Sequence, residues 1–551
     1  MSALKSRKNT AWLTWLSLIS GGVIISLLLS WSANHFQNIQ EWPAFLAATG
    51  IAAALLAGGW QLLKASEHGS LPKRLGIILL AAVFLRLLAG AAWFQLMPAY
   101  GHGTPEEQAG YIMSDAYTRD RTAWDLATSE KPLTRAFQGV YRKADQYGGL
   151  LFISSLVYRT VGGAQHQPLI MMLISAAFSA LAVIFTWGFA RHAWQEGVAD
   201  VAAWGLALYP EAILLGSSQM REAYTITLAA MAFYGLIRYL QQHTLTSLAW
   251  ILIPWLAYLA FSPPFAALLL VGLAIMAYFT RPASSSHRKI PHRWLWMIIL
   301  GLLVLATIGL WFSWRALAPE GITNPLDLIN WWLRKSAAWQ AYQSERASGW
   351  MQKIFDGTPE LFHIPILVGY GILRPFLPAA VIASSSSPLW PWITIWRAAG
   401  WTILLGLLLY ASLHAWSRKD PDRLAQALTL FTWFVLLVAS FRGGGDQDDN
   451  PRYRAAFACV QVALAAWAWV SYRQTKDAWF SRSIIALGLT IAWFFPWYLR
   501  RYTGFEWPIE NLFLTLGLGL ACGAIYLIWD LRRSQPPPNA DDGVKQDEHH
   551  T

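Results

Sequence analysis

Leu75-Gly-Ile-Ile-Leu-Leu-Ala-Ala-Val-Phe-Leu-Arg86-Leu-Leu-Ala-Gly-Ala-Ala-Trp-Phe-Gln-Leu-Met97 is apolar along its length except for a central arginine and Gln95 near its end. Wound as a helix, such a run reaches across roughly 30 Å, the thickness of a bilayer's hydrocarbon core. Comparable runs recur from residue 10 to residue 529; 55% of the chain is hydrophobic and the mean hydropathy is +0.35. This pattern excludes a soluble enzyme carried by a single anchor. Helices are the expected spanning element, because backbone groups in lipid must pair within their own segment. The fold class expected is therefore an all-α polytopic membrane protein. It has about 14 spans, within about 12–15. They fall at 10–31, 42–63, 75–97, 167–190, 198–216, 221–240, 247–262, 264–280, 294–315, 391–416, 424–441, 455–471, 483–499 and 508–529.

The first run follows Lys5, Arg7 and Lys8, as a signal peptide would. No small-residue cleavage site follows it, so it reads as a retained helix. Residues 1–74 then carry two spans ahead of a membrane module at 75–316, which includes a first outer loop at 99–166. A second outer region at 317–390, further spans at 391–531 and a polar tail at 532–551 complete the expected organisation. The tail lacks apolar content and is expected to be disordered and cytoplasmic. Loop basicity orients the chain. Lys64, Lys73, Arg74, Arg288, Lys289, Arg418, Lys419, Arg532 and Arg533 fall on the inner side, which places both termini in the cytoplasm. This requires that the apolar segments 150–161 and 362–383 do not cross but lie re-entrant or interfacial on the outer face. A further interfacial helix is expected where Leu328, Trp332, Trp339 and Tyr342 share one helical face.

The formal charge of +11 fits cytoplasmic loops and lipid phosphate, and no basic-aromatic nucleic-acid motif is present. Two cysteines, Cys459 and Cys522, both in apolar runs, exclude a disulfide framework and a cysteine metal site.

The polar insert at 100–148 holds Ser114-Asp115-Ala116-Tyr117-Thr118-Arg119-Asp120-Arg121. Ser114 and Asp115 suit a helix cap, and Arg119, Asp120, Arg121 and Asp125 suit a solvated helix surface. In a wet site above a membrane helix, Asp115 is instead a candidate general base. Arg86 either faces a polar cavity or locks helices in an ion pair, since a mid-span charge needs a partner or water. Arg221-Glu222 opens a span on the same outer side, with Glu211 at the end of the span before it. Arg452, Tyr453 and Arg454 stand where a late outer loop meets a span, where guanidinium forks match a lipid phosphate. Asp446, Asp448 and Asp449 offer oxygen ligands for a divalent cation, against the simpler reading of a solvated loop. Arg346, Lys353 and Arg374 are second-rank candidates in the second outer region.

The order of these features resembles the GT-C class of integral-membrane glycosyltransferases, which includes the protein O-mannosyltransferases and aminoarabinose transferases. An early helix with a mid-span arginine (Leu85-Arg86-Leu87-Leu88) is followed by an outer acidic residue and tyrosine (Asp115-Ala116-Tyr117). Next come a short outer helix from Tyr147, then Tyr209-Pro210-Glu211, Arg221-Glu222 and a late Pro451-Arg452-Tyr453-Arg454. The likeness covers 75–470. The sequence departs from the class in lacking an acidic doublet at 115 and in adding two leading spans. No large soluble C-terminal domain follows, which counts against the oligosaccharyltransferase branch.

The resemblance implies transfer of a sugar from a polyprenyl-phosphate donor to an extracytoplasmic glycan, lipid or protein acceptor at the plasma membrane. Asp115 and Glu222 would be its catalytic carboxylates, and Arg221, Arg452, Arg454 and Tyr453 would hold the donor phosphate. No cofactor is required, and a divalent cation remains a candidate through the Asp446 group. Two other readings stand beside it: a surface-polysaccharide polymerase or ligase using a lipid-diphosphate donor, and a secondary transporter. The second is disfavoured because charges gather on one face rather than at the midplane.

Overall fold

The computed structural model describes residues 20–69, 71–280, 354–417, 421–444 and 449–533, with scattered single positions between 281 and 353. Among the described residues every regular element is a helix. Eight stretches are long and apolar enough to cross a membrane. They are α2 (Trp42–Ser66), α3 (Lys73–Tyr100), α7 (Pro168–Ala193), α10 (Glu222–Gln242), α15 (Trp390–Ser417), α16 (Arg423–Gly443), α21 (Leu512–Arg533), and α19 (Ala478–Ala492) taken together with α20 (Phe494–Thr503). This is a multi-pass membrane architecture.

The expected count of about 14 spans is not reached among the described residues. The span expected at 198–216 is two helices, α8 (Glu196–Leu208) and α9 (Pro210–Gly216), bent by 56°. Pro210 supplies no backbone N–H and disfavours a helical Tyr209, so the helix breaks between them. The pair counts as a ninth span if taken as one. α11 (Leu245–Phe261) and α12 (Pro263–Phe279) are short, at 17 residues each. α1 (Ser20–Ala33) covers only part of the expected first span, and the run at 294–315 lies largely outside the described residues. The interfacial helix expected around 328–342, with Arg346, Lys353 and the tail from 534, also falls outside them.

The segments expected not to cross are short helices: α6 (Gly149–Val161), and α13 (His363–Leu373) with α14 (Leu377–Ile382). The polar insert at 100–148 contributes α4 (Pro105–Gln108) and α5 (Ser114–Thr128). Late in the chain, α17 (Asp449–Ala455) precedes α18 (Ala458–Thr475).

The chain divides into two compact units. The first comprises 1–375 and 385–470 and centres on α7, which packs against α2, α3, α8 and α10. α7 is apolar on all sides, which is the pattern of a helix buried all round. α7 and α10 start together, where Gln219 Nε2 donates to the Pro168 carbonyl at 2.6 Å. They end together at Glu67, just after α2. There the carboxylate accepts from Tyr234 Oη at 2.6 Å, His192 Nε2 at 2.8 Å and Arg191 Nη1 at 3.1 Å. The second unit comprises 376–384 and 471–551. In it α19 packs on α21, where Gly519 and Gly523 lie against Thr490 and Ala486, and Arg482 pairs with Asp530 at 2.6 Å. Phe376, just before α14, meets Phe494 of α20 edge to face.

Candidate functional site

The polar insert is tied down before it reaches the site. Thr104 and Glu107 form a reciprocal capping box at the start of α4, and the buried Glu107 accepts from Trp390 Nε1 at 2.6 Å. This delivers the chain to α5, whose N-cap is Met113. Ser114 and Asp115 therefore do not cap the helix. They occupy its first turn, and the Asp115 side chain is left 50% exposed and available to a neighbour.

That neighbour is Arg452 on α17. Its Nη1 donates to Asp115 Oδ2 at 3.0 Å, and its Nε lies 3.3 Å from Glu222 Oε1. Arg221 Nε stands 3.7 Å from the same Glu222 oxygen. Glu222 is buried, and its other oxygen has no hydrogen-bond partner among the described residues. One turn beyond Asp115, the buried Arg119 lies 4.0 Å from Asp145 and donates to the Gln219 carbonyl at 3.4 Å. Two rings flank the cluster: Tyr147 with the Arg221 guanidinium 5.5 Å away, and Tyr453 with that of Arg452 5.6 Å away. Three carboxylates and three guanidiniums thus meet where α7 and α10 begin.

The cluster sets its own charge states. Burial alone would raise the Asp115 carboxyl, but Arg452, Arg119 and Arg221 together hold it below the ordinary value of 3.8. Asp115 is accordingly ionised at neutral pH. Burial lowers the Arg119 guanidinium, and Asp145 opposes it. A half-empty buried carboxylate and closely spaced guanidiniums can exchange partners with an incoming anion or hydroxyl at little cost in new desolvation.

Sequence reading anticipated Asp115, Arg221, Glu222, Arg452 and Tyr453, and the structure brings these together. Arg454 is turned away. Two residues on from Arg452 along a helix, it projects from the opposite side. It lies 3.4 Å over the Trp401 ring, beside Tyr209 and the Glu211–Arg397 pair. Burial pulls its guanidinium down to about 10 against the pull of Tyr209 and Glu211. Glu211 does not face the Asp115 cluster; it takes both Nε and Nη2 of Arg397, at 2.9 and 3.0 Å. Among the described residues Arg86 does not form the ion pair that was one of its two expectations. It is fully buried, donates to Ser179 Oγ and the Ala82 carbonyl at 3.0 Å each, and meets no carboxylate among the described residues. Arg374, after α13, lies 4.9 Å over the Tyr370 ring. Asp446, Asp448 and Lys353 lie outside the described residues, as does the side chain of Asp449. Among the described residues no group of three metal-ligating side chains occurs.

Arg119 and Asp120 depart from the solvated helix surface expected for them. Both are buried, and Asp120 accepts from Tyr111 Oη at 2.6 Å, Tyr158 Oη at 2.7 Å and His166 Nε2 at 2.9 Å. The signal was present in the spacing: Ala116, Asp120, Ala123 and Ala127 repeat at helical period along the inward face of α5. Arg397 was also missed. Like Arg86 it is a single charge within an apolar run, which marks a residue needing a partner. Asn450 carried no signal at all. Its amide donates to the Gly371 and Gly444 carbonyls at 2.8 and 2.7 Å and fixes the approach to α17.

No family model matches the chain, and no curated protein does. Among solved structures, it is similar to the archaeal oligosaccharyltransferase AglB from Archaeoglobus fulgidus, solved with an inhibitory peptide and a dolichol-phosphate. The identity is 13% and the TM-score 0.35, over 84% of this chain and 56% of that one. The Archaeoglobus fulgidus oligosaccharyltransferase tethered to an acceptor peptide, and its apo form, each match at 13% identity with a TM-score of 0.37. They cover 82% of this chain and 54% and 55% of theirs. The chain thus spans little more than half the length of these proteins.

Proposed function

We propose that this chain is an integral-membrane glycosyltransferase of GT-C type, moving a sugar from a polyprenyl-phosphate carrier to a hydroxyl-bearing acceptor on the extracytoplasmic side. The observation that carries the reading is that one guanidinium, Arg452, contacts both Asp115 and Glu222 at the end of a bundle of apolar helices. Sugar transfer from a lipid phosphate asks for this combination: a carboxylate to take a proton and cations to receive a departing phosphate.

In this reading Asp115 accepts the proton of the acceptor hydroxyl as its oxygen attacks the anomeric carbon. The bond from that carbon to the carrier's phosphate oxygen breaks, and its electron pair leaves with the phosphate. Arg452 and Arg221 take up the growing charge, an effect typically worth about 3 kcal/mol for each well-placed donor. Arg452 leaves Asp115 for the phosphate as the donor binds, which returns basicity to Asp115 when it is needed. Glu222, buried behind both arginines, keeps them oriented between turnovers.

The full chain in nanodiscs, given a polyprenyl-monophosphate sugar and a panel of acceptors, should release the carrier phosphate. Asp115→Asn should lower kcat by about 10²- to 10⁴-fold, the usual contribution of a general base, with donor binding retained. Wild-type turnover in that variant would remove Asp115 from the reaction. Turnover only with diphosphate-linked oligosaccharide would favour the polymerase or ligase reading.

A further inference from the structure

The segment between α5 and α6, here called the spur, is anchored at both ends. At its root, Arg159 of α6 donates to four carbonyls: Ala127 at 3.0 Å, Leu126 at 2.7 Å, Ser129 at 2.8 Å and Lys131 at 2.9 Å. At its far end the buried Asp145 accepts from the backbone N–H groups of Tyr147 and Leu151 at 3.3 and 3.0 Å, and faces Arg119. Between these anchors the chain makes two short 3-10 turns, Leu133–Phe137 and Gly139–Tyr141. Phe137 of the first turn leans on the Phe152 ring of α6, with centroids 5.7 Å apart.

What they present outward is apolar and cationic together. Val140 is 85% exposed and Phe137 53% exposed. Flanking them along the chain, Lys131, Arg135, Arg142 and Lys143 are exposed, against the single exposed acid Glu130. The spur also sits where apolar helices stop. Gly149, first residue of α6, lies so close to the end of α11 that a Cβ there would be 2.2 Å from the Ala260 carbonyl oxygen. Ala260 is one residue from the end of α11, and α12 begins at Pro263, so the spur stands beside a turn between two apolar helices.

We infer that this spur docks on an anionic bilayer surface, inserting Val140 and Phe137 among the acyl-chain ends while Lys131, Arg135, Arg142 and Lys143 take lipid phosphates. Charge complementarity selects an anionic surface, since each basic residue near one adds about 1 kcal/mol of attraction, roughly fivefold in affinity. The exposed Val140 and Phe137 select a membrane over a soluble polyanion, which would leave them in water. The inward side of the same segment holds Arg119 through Asp145 and covers Arg221 with Tyr147, so lipid contact bears on the ion cluster. The inference stands independently of the reaction proposed above.

The test uses the full chain in nanodiscs, with Val140→Cys carrying an environment-sensitive fluorophore. Cys522→Ser leaves Cys459, which is buried, as the remaining native thiol. Adding phosphatidylglycerol to phosphatidylcholine discs should shift the emission to the blue and bring quenching by doxyl-labelled lipid. Arg135→Glu combined with Lys143→Glu, both at exposed positions, should cut the phosphatidylglycerol dependence more than tenfold while thermal unfolding stays unchanged. Emission indifferent to lipid composition, or a dependence that survives the double reversal, overturns the inference. So does a blue shift produced in phosphatidylcholine discs by a soluble anionic glycan, which would assign the spur to acceptor binding instead.

Discussion

Asp115 and Arg452 form a pair whose two members differ in what they risk. Asp115 is half exposed, so solvent screens it, and losing its charge should cost stability little, under about 1 kcal/mol. Its carboxyl is held below 3.8 in the folded protein. The pair's contribution is therefore fully present above the ordinary aspartate value and is lost as pH falls through the lower folded one. Arg452 is buried and answers to Glu222 as well. Arg452→Ala should cost about 3–5 kcal/mol, because it takes the nearer of two guanidiniums from the buried Glu222, whereas Arg452→Lys should retain the fold and weaken donor binding. Denaturation midpoints and donor titrations in detergent would separate the two; equal loss of fold in both would deny Arg452 a binding role. The members of this cluster that sequence revealed are polar residues at the ends of apolar runs. Arg119 was marked only by the small-residue spacing of α5, and Asp145, in the turn before α6, by nothing local.

At the scale of elements, close helix contacts decide where the site's walls stand. α6 starts at Gly149 against the end of α11, and no side chain fits between them. Gly149→Val should push α6 outward, disturb the Asp145 anchor four residues before it, and lower thermal stability by about 1–3 kcal/mol, the usual cost of overpacking. A melting temperature equal to the wild type's would show that the contact yields freely. The break at Tyr209-Pro210 was legible as a proline but not as a bend, since a proline in an apolar run fits either a kinked span or two separate helices. The bend carries Glu211 to Arg397 and so away from Asp115. The shortness of α11 and α12 was legible, because Ser262-Pro263-Pro264 divides the apolar run and the expected spans at 247–262 and 264–280 are as short as the helices.

Over the whole molecule, the first unit is bound by polar clusters at both ends of α7 and α10. One is the Asp115 cluster; the other gathers Arg191, His192, Tyr234 and Arg238 on Glu67. Glu67→Gln removes the charge shared by three helix ends and should cost about 3–5 kcal/mol. It should also speed amide hydrogen exchange at the ends of α2, α7 and α10 while leaving donor binding at the other end intact. Unchanged exchange there would reduce Glu67 to a passive neighbour. Hydrophobic runs near bilayer length, with charges collected between them, were enough to establish a multi-pass helical protein and to pick out Asp115, Arg221, Glu222 and Arg452. These signals are local: each depends on residue type and on spacing along a single helix. Which arginine meets which carboxylate depends on contacts across hundreds of residues, as between Asp115 and Arg452 or Glu211 and Arg397. Only the packed bundle decides those pairings, because a guanidinium at a helix end has several carboxylates within its reach in sequence but only one or two within 4 Å in space.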